Sequence, residues 1–386
     1  MLPNGCKIRY DRRGATLKIM IIDDIALTML PGVGPRTAAH LLACFGSAGE
    51  IFASGTAELI GIAKLNPRIT ESVLKKVSHR DAEKELKYCE RNGIVPLAST
   101  DALYPRLLRE CNDYPHVVYY IGDTAALAMP RVLSVVGTRR MTSYGQNICA
   151  RLVADLAAMF PDLVVASGLA FGIDATAHRA ALTAGVRTVG VMAQQLPDIY
   201  PSAHTSLAAE MASRGGGVLT EFNSRNKEKG VNFIPRNRVI AGMGAGTLVV
   251  ESHAKGGALM TAGYAHGYDR SVMAVPGRLY ESASEGSNRL IHSQVAVMVR
   301  NAEDIATELG WEAPAKSGKP QREYDESILS GDARKVLALL PEGERCTIDD
   351  LAERSGLPLP ELAPLLFELE LENVIRMLPG KIYEKV

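Results

Sequence analysis

Several protein classes are excluded by what this 386-residue chain lacks. Its six cysteines, Cys6, Cys44, Cys89, Cys111, Cys149 and Cys346, include no Cys-x-x-Cys pair and no histidine at ligand spacing. That pattern argues against a zinc site and for buried free thiols in a reducing cytosol. No apolar run approaches the ~18 residues that a membrane-spanning helix needs. The first stretch, MLPNGCKIRYDRRGATLKIM, has no apolar core of the kind a secretion signal carries. It shows neither helical nor strand periodicity, so residues 1–20 are expected to be a disordered extension, or the result of a start placed ahead of Met20. An excess of one charge is also missing, since 43 Lys and Arg balance 43 Asp and Glu. Nucleic-acid binders usually carry a basic excess, so any basic surface here must be local. Neither G-x-G-x-x-G in the first βα unit nor G-x-x-x-x-G-K-[ST] occurs, which leaves dinucleotide and triphosphate binding without their usual signatures. No cofactor and no metal are expected.

What is present is an ordinary globular composition, 47% hydrophobic and 22% charged, over a length sufficient for two or three cores. Residues 21–100 read as short helices broken by glycine. Among them, Leu30-Pro31-Gly32-Val33-Gly34-Pro35-Arg36-Thr37-Ala38 has the outline of a helix-hairpin-helix. A connector rich in proline and tyrosine follows, with Tyr104-Pro105 and Tyr114-Pro115. Residues 101–310 are expected to form an extended Rossmann-like α/β domain. The runs RVLSVV (131–136), LVVA (163–166), RTVGVM (187–192), GVLTE (217–221), TLVVE (247–251) and SVMAV (271–275) are apolar on both faces, as strands of a helix-covered parallel sheet must be. Residues 311–326 read as a linker. Residues 327–386 predict three helices and a hairpin, the outline of a winged helix.

Ligands of open α/β sheets bind outside the carboxyl ends of the strands. Four loops meet that description: Gly137-Thr138-Arg139-Arg140, Ser167-Gly168-Leu169-Ala170, Glu221-Phe222, and Glu251 through Gly257, which includes Lys255. The first could hold a phosphate between backbone N–H groups and Arg139. A tight turn with solvated arginines accounts for it equally well. The segment 224–238, SRNKEKGVNFIPRNR, sets Phe233 among Arg225, Lys227, Lys229, Arg236 and Arg238, with Asn237 between the last two. Single-strand binding uses this combination, cations along the backbone and a ring against a base. The competing reading is a solvated loop whose one ring anchors it. Asp174 and His178, four apart on a helix, read as a local brace rather than part of a catalytic set.

In order and spacing, V-V-G-T-R-R (135–140), S-G-L-A-F-G-I-D-A-T-A-H (167–178), F-I-P-R-N-R-V-I-A-G (233–242), G-A-L-M-T-A (257–262), A-V-P-G (274–277) and G-S-N-R-L-I (286–291) resemble the DprA/Smf family of DNA-processing proteins. The resemblance covers roughly residues 100–305, with weaker support from both ends. It implies an extended Rossmann fold that binds single-stranded DNA in a positive pocket without catalysis. It also implies a homodimer and delivery of the strand to the recombinase RecA during natural transformation. Carried over by motif, Arg139 is the phosphate clamp and Phe233 the stacking ring. Arg236 and Arg238 line the same groove, and Gly137, Ser167 and Gly168 allow close backbone approach. Two departures stand out. The lysine expected three residues before the ring is Gly230 here, beside Lys229. Tyr200-Pro201 leads into Ser202-Ala203-His204 instead of the family's Lys or Glu followed by Asn.

Two further readings come from the residues. Asp325 to Val386 holds 13 acidic side chains against 7 basic, and the helix from Pro360 to Glu372 has four glutamates and no cation. Such a winged helix would be repelled by duplex phosphates, so it is expected to bind protein or to fold back on the basic groove. The alternative function is a nucleotide-processing enzyme of the lysine-decarboxylase-like phosphoribohydrolase type. Its hallmark P-G-G-x-G-T followed by Glu is echoed imperfectly by Gly244-Ala245-Gly246-Thr247 and Glu251.

Overall fold

The computed structural model describes residues 14–226, 232–312, 329–340, 346–372, 374–378 and 382–385. The six apolar runs form strands, and three further strands join them. In chain order these are β1 (Val95–Ala98), β2 (Val117–Gly122), β3 (Arg131–Val136), β4 (Leu163–Ser167), β5 (Arg187–Val191), β6 (Gly217–Thr220), β7 (Gly246–Val249), β8 (Ser271–Ala274) and β9 (Val297–Met298). They make one sheet in the order β1-β2-β6-β5-β4-β3-β7-β8-β9. From β6 to β9 all neighbours are parallel, whereas β1 and β2 run antiparallel at one edge. The sheet is therefore mixed rather than wholly parallel. Its antiparallel edge was hidden because VVYYIG directly follows Tyr114-Pro115, which read as part of a connector.

Six helices precede the sheet: α1 (Gly14–Thr28), α2 (Pro35–Phe45), α3 (Ala48–Ala53), α4 (Thr56–Gly61), α5 (Pro67–Leu74) and α6 (His79–Asn92). Among and after the strands come α7 (Arg106–Arg109), α8 (Ser143–Met159), α9 (Ile173–Thr183), α10 (Thr205–Ser213), α11 (Phe233–Met243), α12 (Gly257–Gly267), α13 (Glu285–His292) and α14 (Ala302–Glu308). The period-two alternation of the strands divides the core. Val132, Val136, Val164, Ala166 and Val249 pack beneath α11 and α12. Leu133, Val135, Leu163, Val165 and Leu248 pack beneath α8, α9 and α14. A third cluster joins Ile25, Leu41, Ile51, Val73 and Leu86 of the N-terminal helices to Val117, Tyr119, Leu169, Leu196, Ile199 and Leu207. The helical region is thus continuous with the edge of the sheet.

Part of the expected disordered extension is helical, because α1 begins at Gly14. Residues 15–20 contain neither glycine nor proline and simply prolong the helix that Ile25, Ala26 and Leu27 anchor in the core. Between α1 and α2 the chain turns at Gly32, whose φ of +86° suits glycine. Pro35 then opens α2 at a position where an N–H would have no intrahelical partner, so the donor it lacks is not missed. That is the hairpin outline read from the sequence.

Asp174 and His178 do not brace each other. The His178 ring is fully buried, and its Nδ1 lies 2.6 Å from Thr188 Oγ1, which itself donates to Val165 O. Nδ1 therefore carries the proton, and Nε2 has no partner. Burial away from water holds this imidazole down at about 3, well below its ordinary 6.5. The unfolded chain takes up a proton below pH ~6.5 that the folded chain refuses, so stability falls as pH drops from ~6.5 toward 3. Urea unfolding between about pH 4 and 5.5 is expected to show a slope about 1.4 kcal/mol per pH unit steeper in the wild type than in His178→Gln. Parallel slopes would remove this residue as the source.

The C-terminal unit, from Lys316 onward, stands by itself. It contains α15 (Gly331–Ala338), α16 (Ile348–Ser355), α17 (Leu359–Leu371), β10 (Cys346–Thr347), β11 (Ile375–Leu378) and β12 (Ile382–Lys385), the strands ordered β10-β12-β11. Leu337, Leu351, Leu362, Leu366 and Leu369 fill its core. This is a winged helix with the expected three helices and hairpin.

Candidate nucleic-acid interface

From β3 the chain winds to β4, β5 and β6, then returns to place β7 on the other side of β3. This reversal is the crevice where doubly wound sheets bind ligands. A cleft of about 440 Å³ opens there, lined by Gly137 to Arg140 after β3, Ala170 and Asp174 after β4, His253 and Gly256 to Thr261 around the start of α12, and Phe233, Ile234, Arg236, Asn237 and Ile240 of α11. The N-termini of α11 and α12 both reach it, which favours anions.

Close backbone packing shapes the rim. A Cβ at Gly137 would lie 2.5 Å from Ile173 Cγ1, so this glycine lets the β3 loop sit on α9. Gly172, with φ +79°, is tighter still: a Cβ there would lie 2.2 Å from Thr138 O and 2.8 Å from Arg139 Cα. The β4 loop thus presses directly against the segment that presents Arg139. Thr138 accepts from Arg140 N at 3.1 Å through its hydroxyl, closing a small turn.

Arg139 and Arg140 are exposed. The Arg139 guanidinium lies over the Phe233 ring, 5.1 Å from its centroid. Tyr200 meets the same ring at 5.8 Å, edge to face. Cation, ring and glycine-walled cleft come together as the sequence suggested.

Other expected residues are placed differently. Arg236 touches the cleft, but it is 5% exposed and donates through Nη1 to Gly168 O and Val191 O, at 2.7 and 2.5 Å. Desolvation pulls it down to about 10, opposed by Asp174. Burial raises the Asp174 carboxyl above its usual range, against the pull of Arg236. Both crowd Gly168, where a Cβ would lie 2.6 Å from Asp174 Oδ2 and 2.8 Å from Arg236 Nη2. Arg236 is therefore a strut that ties α11 to the ends of β4 and β5. Arg238 does not line the cleft: its guanidinium is buried on Glu221 and donates to Asp113 O. Helical spacing explains this, because two residues along a helix turn the side chain by about half a revolution. Ser167 is fully buried and donates to Val135 O, so it offers nothing to a ligand. Asn237 bridges α11 and α12 through Gly257 O. Lys255 is exposed on the β7 loop but outside the cleft lining. Arg225 pairs with Asp81 of α6. Lys227 and Lys229 lie outside the described residues. The run that read as a continuous basic strip is thus divided among three environments.

Tyr200 and Phe171, in a small recess beside the cleft, were missed. Each is about half exposed beside Phe233 or Arg139. Tyr200 was noted only for the residues that follow Pro201, and nothing in the spacing marked Phe171.

Glu251, on which the enzyme alternative depends, is 1% exposed and accepts from Thr142 N at 2.9 Å and from Thr142 Oγ1 at 2.5 Å. Both oxygens serve the start of α8.

Residues 96–310 match the family profile described as DNA recombination-mediator protein A, and residues 320–381 match the DprA winged helix domain. Protein Smf of Escherichia coli is 34% identical over 307 residues, spanning 78% of this chain and 80% of that protein. The X-ray structure of DNA processing protein A from Streptococcus pneumoniae aligns with a TM-score of 0.62 at 27% identity, covering 74% of this chain and 96% of that one. DNA processing protein A from Helicobacter pylori, described for its unique single-stranded DNA binding mode, aligns with a TM-score of 0.50 at 27% identity, covering 56% and 95%. With a family match over more than half its length, placed on the cleft and strands just described, this chain belongs to the DNA recombination-mediator protein A family, the DprA/Smf DNA-processing proteins.

Proposed function

We propose that the cleft binds single-stranded DNA without chemical change to it, with phosphate on Arg139 and base on Phe233. The observation that carries this reading is the Arg139–Phe233 pair at the sheet's switch point. It offers a cation for the backbone and a ring for a base within one contact. Arg139 lies over the ring, so a phosphate that draws the guanidinium aside uncovers the surface a base needs. The relative from Helicobacter pylori, described as binding single strands, supports the same assignment. The proposal includes hand-off of the strand to RecA during DNA uptake, by a homodimer acting in the cytoplasm; of these, the family's description as a recombination mediator supports the hand-off alone. Glu251 in service to α8 counts against the nucleotide-processing alternative.

Fluorescence anisotropy with a labelled oligonucleotide tests this. Wild type should bind single strands in preference to duplex, and Arg139→Ala should weaken binding about 10- to 100-fold, as loss of a charged contact does. The same variant should lower the slope of log K against log salt by about 0.7. Phe233→Ala should cost about 1–3 kcal/mol while leaving that slope unchanged. No single-strand binding by wild type, or ready displacement of the oligonucleotide by free nucleotide, would overturn the proposal.

A further inference from the structure

On the far side of the Arg139–Phe233 pair from the cleft lies a second, shallow recess. It shares Arg139, Ala170, Phe233 and Arg236 with the cleft and adds Phe171, Gln194 and Tyr200. Its volume, about 40 Å³, is too small to enclose a nucleobase. A base can only lie on it. Two of its walls are aromatic and unusually open to water: Tyr200 is 53% exposed and Phe171 50%.

Neither ring is loose. Phe171 rests edge to face on His204, at 4.8 Å between centroids, and His204 is itself buried with Nδ1 2.8 Å from Leu169 O. Tyr200 is set against Phe233, and its neighbours Leu196 and Ile199 are in the core. Two rigid, half-bare rings beside a cation, outside a cleft that already has its own ring, form a surface suited to a flat π-system.

We propose that Tyr200, flanked by Phe171, is the platform for a second base of the single strand, next to the nucleotide held on Phe233. This rests on the single-strand reading of the cleft. Phe233 and Arg139 line both places, so a strand passing them sets one base in each. Stacking depends on the ring and not on the hydroxyl, and discriminates little between bases because each has a π-face.

The test uses the full-length chain and short labelled oligonucleotides, intact or with one abasic position moved along the strand. Wild type should show two adjacent positions where loss of the base weakens binding, each by about 5- to 100-fold, the range for one stacked base. Tyr200→Ala and Tyr200→Leu should each lose a similar factor on the intact strand, whereas Tyr200→Phe should bind as wild type does. In Tyr200→Ala only one sensitive position should remain. A single sensitive position in the wild type overturns the second platform while leaving the Phe233 site standing. So does unchanged affinity of folded Tyr200→Leu. Failure of the wild type to bind any single strand overturns the underlying reading instead.

Discussion

Arg236→Ala should lower the free energy of unfolding by about 3–5 kcal/mol, the usual consequence of removing one member of a buried charge pair. The expectation follows from what Arg236 does. Its Nη1 donates to the carbonyls of Gly168 and Val191, and its charge opposes that of Asp174, which lies buried with Ala170 N 3.4 Å from its Oδ2. Truncation leaves two carbonyls without that donor and a carboxylate without its countercharge. Denaturant midpoints measure the loss directly. Arg139→Ala, by contrast, should leave the midpoint within about 0.5 kcal/mol of wild type, since exposed side chains away from such networks rarely matter more. Pairing Arg236→Met with Asp174→Asn should recover part of the loss, because it removes both buried charges together. If Arg236→Ala unfolds at the wild-type midpoint yet fails to bind DNA, then Arg236 is a ligand contact and not a strut.

Gly172→Ala should be nearly as damaging, by about 3 kcal/mol, and should also weaken single-strand binding. Two costs combine. A left-handed φ of +79° strains any residue with a Cβ, and the new carbon would fall 2.2 Å from Thr138 O, against backbone that has no rotamer to escape into. Relief requires the β3 and β4 loops to part, which moves Arg139 off Phe233. Gly185→Ala provides the control. Its φ is +76°, but nothing lies within 4 Å of its Cβ, so only the conformational cost of about 1–2 kcal/mol applies. The excess loss at Gly172 measures the backbone contact together with what its ψ of −130° adds to the strain. Equal losses would show that loop packing contributes nothing.

Much of this fold was legible because buried parallel strands announce themselves as unbroken apolar runs. RVLSVV, LVVA and TLVVE could hardly be anything else. β1 and β2 were not read, since VPLA is short and VVYYIG sits behind a proline that looked like a linker. Gly137, Arg139 and Phe233 were found through loops at strand ends and through an aromatic embedded in charge. Arg236 and Arg238 were assigned to the groove because both are cationic and adjacent to the ring. Composition cannot show that α11 turns one inward onto carbonyls and the other onto Glu221. Likewise the Asp174–His178 spacing suggested a pair, whereas Thr188 on β5, ten residues on and on another element, takes the imidazole. Side-chain direction on a helix is decided by tertiary neighbours, and these are what a linear pattern withholds.

The N-terminal helices matter to the cleft more than their distance along the chain suggests. Tyr88 of α6 donates to Leu196 O, four residues from Tyr200. Glu85 of the same helix accepts from Ser224 N at 2.9 Å, and Asp81 holds Arg225, both on the segment that leads to Phe233. One helix thus moors the approach to each of the two rings. α6 is a shared backstop, a single helix that anchors the loop after β5 at Leu196 and the loop after β6 at Ser224 and Arg225.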